Sequence, residues 1–146
     1  MTRQEHQQRP RRAAAGRIEE LRRLEACERG LADAYATYGL RARGDMRWVS
    51  LRERHLGHAA LLALRIRELG GEPRDDGDDE WILGPTHVLS TLIRAEQAAY
   101  RTYHDHLSDF DATTLALVRE RILPSHELTL AQLVGERDLA LEPYLQ

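Results

Sequence analysis

Five residues of this chain, Glu28, His55, His58, Glu96 and His126, are of types that move protons or hold metal ions, and each falls inside an apolar stripe. Glu28 stands in a run of Leu21, Leu24, Leu31, Tyr35 and Tyr38, whose alternating spacings of three and four mark one face of a helix. His55, with His58 one turn on, stands among Trp48, Leu51, Leu62, Ile66 and Leu69. Glu96 is flanked by Leu89, Leu92, Ala99, Tyr103 and Leu107, and His126 by Leu115, Ile122, Leu130 and Leu133. Such stripes face a core, where a lone carboxylate or imidazole costs several kcal/mol. Titratable residues from four stripes aimed at one interior therefore require either a shared hydrogen-bond network or a shared cation. Carboxylate oxygen with imidazole nitrogen is a donor set for iron, manganese or zinc.

Rotation and depth both favour convergence. At ~100° per residue, Glu96 and His126 lie within about 20° of their stripe centres, His58 falls toward the edge of its stripe, and Glu53 turns to the solvent side. At ~1.5 Å rise per residue, Glu28 and His58 lie ~24 Å and ~21 Å from the first connection, and Glu96 and His126 ~20 Å and ~25 Å from the second. Each pair thus falls in one layer. His58 matches Glu28 in level, whereas His55 lies nearer Tyr35, to which it could hydrogen-bond. Arg119 projects near the fourth stripe and is a candidate counterion for a buried glutamate. Tyr35, Tyr38, Tyr100 or Tyr103 could satisfy the same glutamates in a metal-free polar core.

The elements that must position these residues are four helices, predicted from about Ala13 to Ala42, Met46 to Leu69, Pro85 to Leu107 and Ala112 to Val134. Gly44 and Asp45 supply a stop and a cap, and Gly70-Gly71 followed by Pro73 ends the second helix. The turn-rich stretch GEPRDDGDDEWILGP follows. About 14 residues at ~3.3 Å each can run back along a helix of ~36 Å and start the next one parallel to it. Asp109 to Asp111 form a short second connection, and Pro124 leaves the carbonyl of Glu120 without a donor. The expected fold is all-α, a four-helix bundle with one long crossover between helices two and three. Residues 1–12 read as a polar, aperiodic arm, 13–134 as the bundle and 135–146 as a C-terminal tail. No internal repeat, strand pattern or low-complexity tract is evident.

Composition narrows the function classes. The 146 residues, 31% charged and 42% hydrophobic, suit one compact domain. All 21 basic residues are Arg, against 24 acidic ones, as a GC-rich bacterial coding bias would give. The basic residues form no face that would track phosphates, so no nucleic-acid partner is expected, and Arg9 to Arg12 around Pro10 read as a solvated arm. The single Cys27 excludes an internal disulfide, fits a reducing compartment and reads as a small buried apolar residue. With no signal-peptide core and no apolar run approaching ~18 residues, a cytoplasmic protein without membrane insertion is expected. Gly-rich phosphate loops, nucleophile elbows and Cys-His pairings do not occur.

The chain resembles the ferritin-like superfamily, particularly its bacterial branch of small four-helix domains of unknown function. The resemblance spans roughly residues 17–134 and rests on LEACERGLADAYATY, RERHLGHAALLALRIRELGGEP, RAEQAAYRTYHDHL and LVRERILPSHELTLAQL. It implies a metal centre taking one glutamate each from helices one and three, here Glu28 and Glu96, and a Glu-x-x-His from helices two and four. This sequence departs from that pattern twice: helix two carries His55-x-x-His58, and Leu123 stands where a glutamate would precede His126. Four carboxylates would offset two divalent ions, but Glu28 and Glu96 offset only one.

The reading is therefore a bacterial, cytoplasmic ferritin-like bundle with a degenerate carboxylate and histidine core, in a binding or stress-related role. The first alternative is a metal-binding oxidase or ferroxidase with one ion or two irons. The second is a structural module that self-associates as a dimer or larger homo-oligomer through an outer helix face. A metal, if held, is expected on Glu28, Glu96, His126 and one helix-two histidine, with His58 preferred over His55.

Overall fold

The computed structural model describes residues 3–41, 46–73 and 88–141, with side chains from 16 to 40, 46 to 73 and 88 to 138. All regular structure among them is helical. Helix α1 spans Arg3–Arg41, α2 Met46–Glu68 and α3 Leu89–Asp105. A 3-10 turn, Leu107–Asp109, leads into the fourth helix, which comprises an α-helical stretch Ala112–Leu117, a π-helical turn Val118–Ile122 and an α-helical stretch Leu123–Leu141. These three run on without a break and together form α4.

Helix α1 begins well before the expected Ala13 and takes in most of the stretch read as an arm. Gln, Glu and Arg make up most of that stretch, and all three are good helix formers that need no apolar face to propagate a turn. In the same way α4 continues past Val134 to Leu141. The Gly44-Asp45 cap and the crossover segment 74–87 lie outside the described residues.

Two apolar clusters give the helix directions. One joins Leu31 and Tyr35 of α1, Trp48 and Leu51 of α2, Leu92 and Ile93 of α3, and Leu133 of α4. The other joins Leu21 and Leu24, Leu62 and Ile66, Tyr103, and Val118, Ile122 and Leu123. The beginnings of α2 and α3 therefore meet at one end of the bundle and their later turns at the other, so these two helices run parallel. Helix α1 is antiparallel to α2, and α3 to α4. In every helix the residues singled out for chemistry fall between the two clusters, in a polar layer sealed above and below.

The connections are fixed locally. Gly70, at φ 87°, takes the left-handed conformation that ends α2, and the Gly71 N–H donates to Ile66 O at 3.0 Å in the helix-closing pattern such a glycine permits. A side chain at Gly71 would strike Ile18 of α1, so this turn also needs glycine for close approach. Asp111 caps α4 by accepting from the Thr114 N–H at 2.8 Å, and Arg65 of α2 reaches Asp111 at 2.8 Å and Thr114 at 3.0 Å.

The π turn has a cause in the sequence. Thr114, Val118, Ile122 and His126 are all buried and follow one another at intervals of four. At ~100° per residue each such step overshoots a full turn by about 40°, so three steps drift by about 120°. A π turn takes in one extra residue and absorbs about 100° of that drift, which returns His126 to the interior. The widened turn is closed by the Leu123 N–H donating to Val118 O, immediately before Pro124, which has no N–H to contribute. The same rotation turns Arg119 to solvent, so it is not the counterion of a buried glutamate.

Candidate functional site

Glu28, His55, Glu96 and His126 have no solvent exposure and His58 only 5%, so all five residues expected at the site meet in the polar layer. Glu53 is exposed, as its rotational phase requires. Glu28 is the hub. Its Oε2 accepts from His55 Nδ1 at 2.6 Å and from His58 Nδ1 at 3.2 Å, and its Oε1 accepts from the Tyr103 hydroxyl at 2.7 Å and from His126 Nε2 at 2.6 Å. Glu96 accepts from the Tyr35 hydroxyl at 2.6 Å and from His126 Nδ1 at 2.8 Å. His55 Nε2 faces Glu96 Oε1 in an ion-pair contact.

The arrangement is a closed ring, Glu28 to His55 to Glu96 to His126 and back to Glu28. A carboxylate only accepts, so a ring nitrogen facing it carries the proton, and a histidine facing carboxylates on both sides is an imidazolium. Burial opposes the charge on His126, but Glu28 and Glu96 outweigh it and push its pKa up to about 10. His55 is raised for the same reason, burial again being overcome by its bonds to Glu28 and Glu96. Burial also opposes ionisation of the two acids. Contacts with His126, His55 and His58 hold Glu28 well below the usual carboxylate range, and bonds from His126 and His55 hold Glu96 at about 2. Two imidazolium and two carboxylate charges cancel. Tyr35 and Tyr103 stay protonated because burial and the adjacent carboxylates raise both hydroxyls well above their usual range. Burial and the charge of Glu28 likewise raise the Cys27 thiol, which packs as a neutral, apolar group.

A pairwise correspondence underlies the ring. Tyr35 follows Glu28 at the same spacing as Tyr103 follows Glu96, and each tyrosine donates to the other hairpin's glutamate. His58 lies 30 residues after Glu28 and His126 lies 30 after Glu96, and both pairs join Nδ1 to Oε2. At the offset that carries Glu28 to Glu96, Leu21, Leu24 and Leu62 correspond to Leu89, Leu92 and Leu130, but most other neighbours differ, so no internal repeat stands out in the sequence. Position 123, the counterpart of His55, is leucine.

Distances do not single out His58. Both helix-two histidines reach Glu28, His55 more closely, and only His55 also touches Glu96. His55 does not hydrogen-bond Tyr35 but stacks on it, with ring centroids 5.3 Å apart and planes 4° from parallel. Among the described residues, one group has ligand atoms close enough for a single ion: Glu28, His55, His58 and His126, all within 4.8 Å of one another. Glu96 stands beside this group, holding His126 and His55 from behind. Tyr38 packs edge-on against Trp48, and Tyr100 donates to Glu127 near the surface, so neither serves the buried acids. His106 pairs with Glu20 and Asp109 away from the layer.

Periodicity missed three buried polar residues. Glu25, 5% exposed, lies one turn before Glu28 and pairs with Arg29 at 3.8 Å. Thr114 and Thr129 are buried on α4 and accept from Arg65 and Arg54, respectively. The intervals of four that lead through Thr114 to His126 were the available signal for the first threonine. No family model matches the chain, and no curated protein or solved structure does.

Proposed function

We propose that this is a ferritin-like bundle that binds one divalent metal ion in its core, in a binding or stress-related role. The supporting observation is the convergence of one carboxylate and three imidazoles within 4.8 Å. Glu28, His55, His58 and His126 would hold the ion, with Glu96 accepting from the outward ring nitrogens. The fit has two physical grounds. In both His55 and His126 one ring nitrogen faces Glu28 and the other faces Glu96, so the first can ligate while the second donates. With neutral imidazoles, Glu28 and Glu96 cancel one divalent charge, whereas a second ion would leave two positive charges buried and uncompensated.

Bound iron or manganese would supply one-electron redox chemistry, and zinc would supply Lewis acidity. The chain's own part is to present the ligands preformed: Tyr103 and Tyr35 fix the carboxylates, and Glu96 fixes the ring of His126. Burial of every ligand favours retention of an ion over turnover of a substrate, so the oxidase reading stands second. Self-association is a separate reading, favoured by exposed Leu40, Met46 and Val49 where α1 and α2 meet. No described helix is long and apolar enough to cross a membrane.

Titration of tag-free protein with zinc, manganese or ferrous iron tests the metal reading. Saturation near one equivalent, abolished in His126→Ala, is the expected result. Absence of binding would leave the ion-paired ring as a purely structural core. Two equivalents of iron with oxygen-dependent oxidation would establish the ferroxidase instead.

A further inference from the structure

Of the site residues His58 alone has any exposure, so the polar layer comes nearest to solvent there. His58 belongs to the row Arg47, Leu51, Arg54, His58, Leu61 and Arg65, whose spacings of four and three run along one face of α2. That face is turned to α4. Arg47 pairs with Glu136, Arg54 donates from Nη1 to Thr129 Oγ1 at 2.7 Å and to Gln132 Oε1 at 3.1 Å, and Arg65 bonds to Asp111 and Thr114. The ring of His58 lies 5.2 Å from that of His126, centroid to centroid. Side chains thus span this seam, whereas α1 and α2 approach each other closely along their backbones. The apolar clusters close both ends of the layer.

A cavity of about 300 Å³ opens in the seam beside Trp48, Leu51, Gln132 and Leu133. Arg54 does not line it but stands between it and His58, one turn after Leu51 and one turn before the histidine, with its guanidinium on Gln132. The guanidinium also reaches inward: Thr129, its other acceptor, is fully buried. Burial and Glu96 raise the Tyr35 hydroxyl, and Arg54 is the group that acts on it in the opposite direction. Arg65 is tied to two carboxylates, Asp111 and Glu68, whereas these hydrogen bonds of Arg54 go to neutral oxygens. Without an opposite charge at its partners, the Arg54 bridge is the easier of the two to release.

We propose that a divalent ion enters and leaves the buried site along this seam, past Arg54 to His58, and that Arg54 is the gate. The route rests on the metal reading above and adds to it the residue that controls exchange. With the bridge in place, the guanidinium bars a cation by bulk and by charge. Once it swings out, His58 offers the first ligand, and Glu28, bonded to it at 3.2 Å, the second.

Cobalt(II), whose visible absorption reports ligation, measures entry into the metal-free full chain by stopped flow, and a chase with excess EDTA measures exit. Arg54→Lys keeps the charge but loses the planar fork, and it should speed entry and exit alike by at least about tenfold while changing the affinity less than about threefold. Arg65→Lys breaks another bridge between the same helices and should leave both rates within about twofold of the parent. A second readout needs no metal. Diethylpyrocarbonate acylates accessible imidazoles, and peptide mapping should find His58 of the metal-free protein labelled at least about fivefold faster in Arg54→Lys, with His55 and His126 unchanged. Unaltered exchange in Arg54→Lys, equal acceleration by Arg65→Lys, or faster labelling of all three histidines together would overturn the gate. If the parent takes up no cobalt, the metal reading fails by itself; His58 labelling that ignores Arg54→Lys would then overturn the gate as well.

Discussion

The α1–α2 and α3–α4 hairpins bring the same three polar residues to the centre of the bundle, yet they are not equivalent. Each supplies a glutamate, a tyrosine that donates to the opposite glutamate, and a histidine bonded through Nδ1 to its own. These matched sets alone would leave two carboxylates facing His58 and His126. The first hairpin adds His55, which bridges Glu28 and Glu96; the second has Leu123 there, followed by Pro124 and preceded by a π turn. His55 thus makes the layer charge-neutral without a metal and would supply the third imidazole of the proposed metal site. Under that proposal the asymmetry favours one ion held toward the first hairpin over two related by symmetry.

The largest effect should come from the hub of that asymmetry. Glu28→Gln leaves two buried imidazolium groups with one carboxylate and should cost ~3 to 5 kcal/mol in urea titrations. Glu96→Gln, which removes fewer accepted bonds, should cost about 1 to 3 kcal/mol, and the exposed Glu53→Gln close to zero. Equal losses at Glu28 and Glu96 would mean that the two hairpins share the charge evenly and that Glu28 is no hub.

His55→Leu copies the second hairpin into the first. It should cost about 2 kcal/mol, because leucine fills part of the space while two carboxylates are left with one imidazolium. Metal binding should fall below detection in the same calorimetric titration used for the parent protein. Retention of one tight equivalent would move the ion to the Glu96 and His126 side.

The metal-free protein should show a pH dependence set by both signs of charge. His126 and His55 have raised folded-state values, so their contribution is complete below the unfolded value of 6.5 and is lost as pH rises, for His126 through about 10. Glu28 and Glu96 are depressed, so their contribution is complete above 4.5 and is lost as pH falls, for Glu96 through about 2. Chemical denaturation across pH should therefore place maximum stability between these windows, with a decline above neutrality that His126→Leu flattens. A stability still rising from pH 7 to 9 without metal would show that the ring is not built from imidazolium groups.

The smallest effect concerns the second hairpin's backbone. If the intervals of four demand the π turn, Pro124→Ala should be neutral or stabilising by up to about 1 kcal/mol, since it restores a donor without changing the phase. A loss beyond that would make the proline itself the determinant of the turn.

Much of this was legible in the chain because the apolar period fixes which residues point inward. Glu28, Glu96 and His126 stood at the centre of their stripes, the Gly70-Gly71 stop was visible as a cap, and four amphipathic segments implied a four-helix bundle. Rotational phase is a local property, carried by a rise and twist that every α-helix shares. Partner choice is not local. The sequence could not assign Tyr103 to Glu28 and Tyr35 to Glu96 among five tyrosines, or show His55 bridging both acids, because these contacts join positions far apart in the chain. Depth counted from uncertain helix ends carries an error of a turn, which is the distance between His55 and His58. The phase of α4 also escaped, since an ideal helix was assumed where a π turn rotates Arg119 out. Only packing of the four helices against one another decided which donor meets which acceptor.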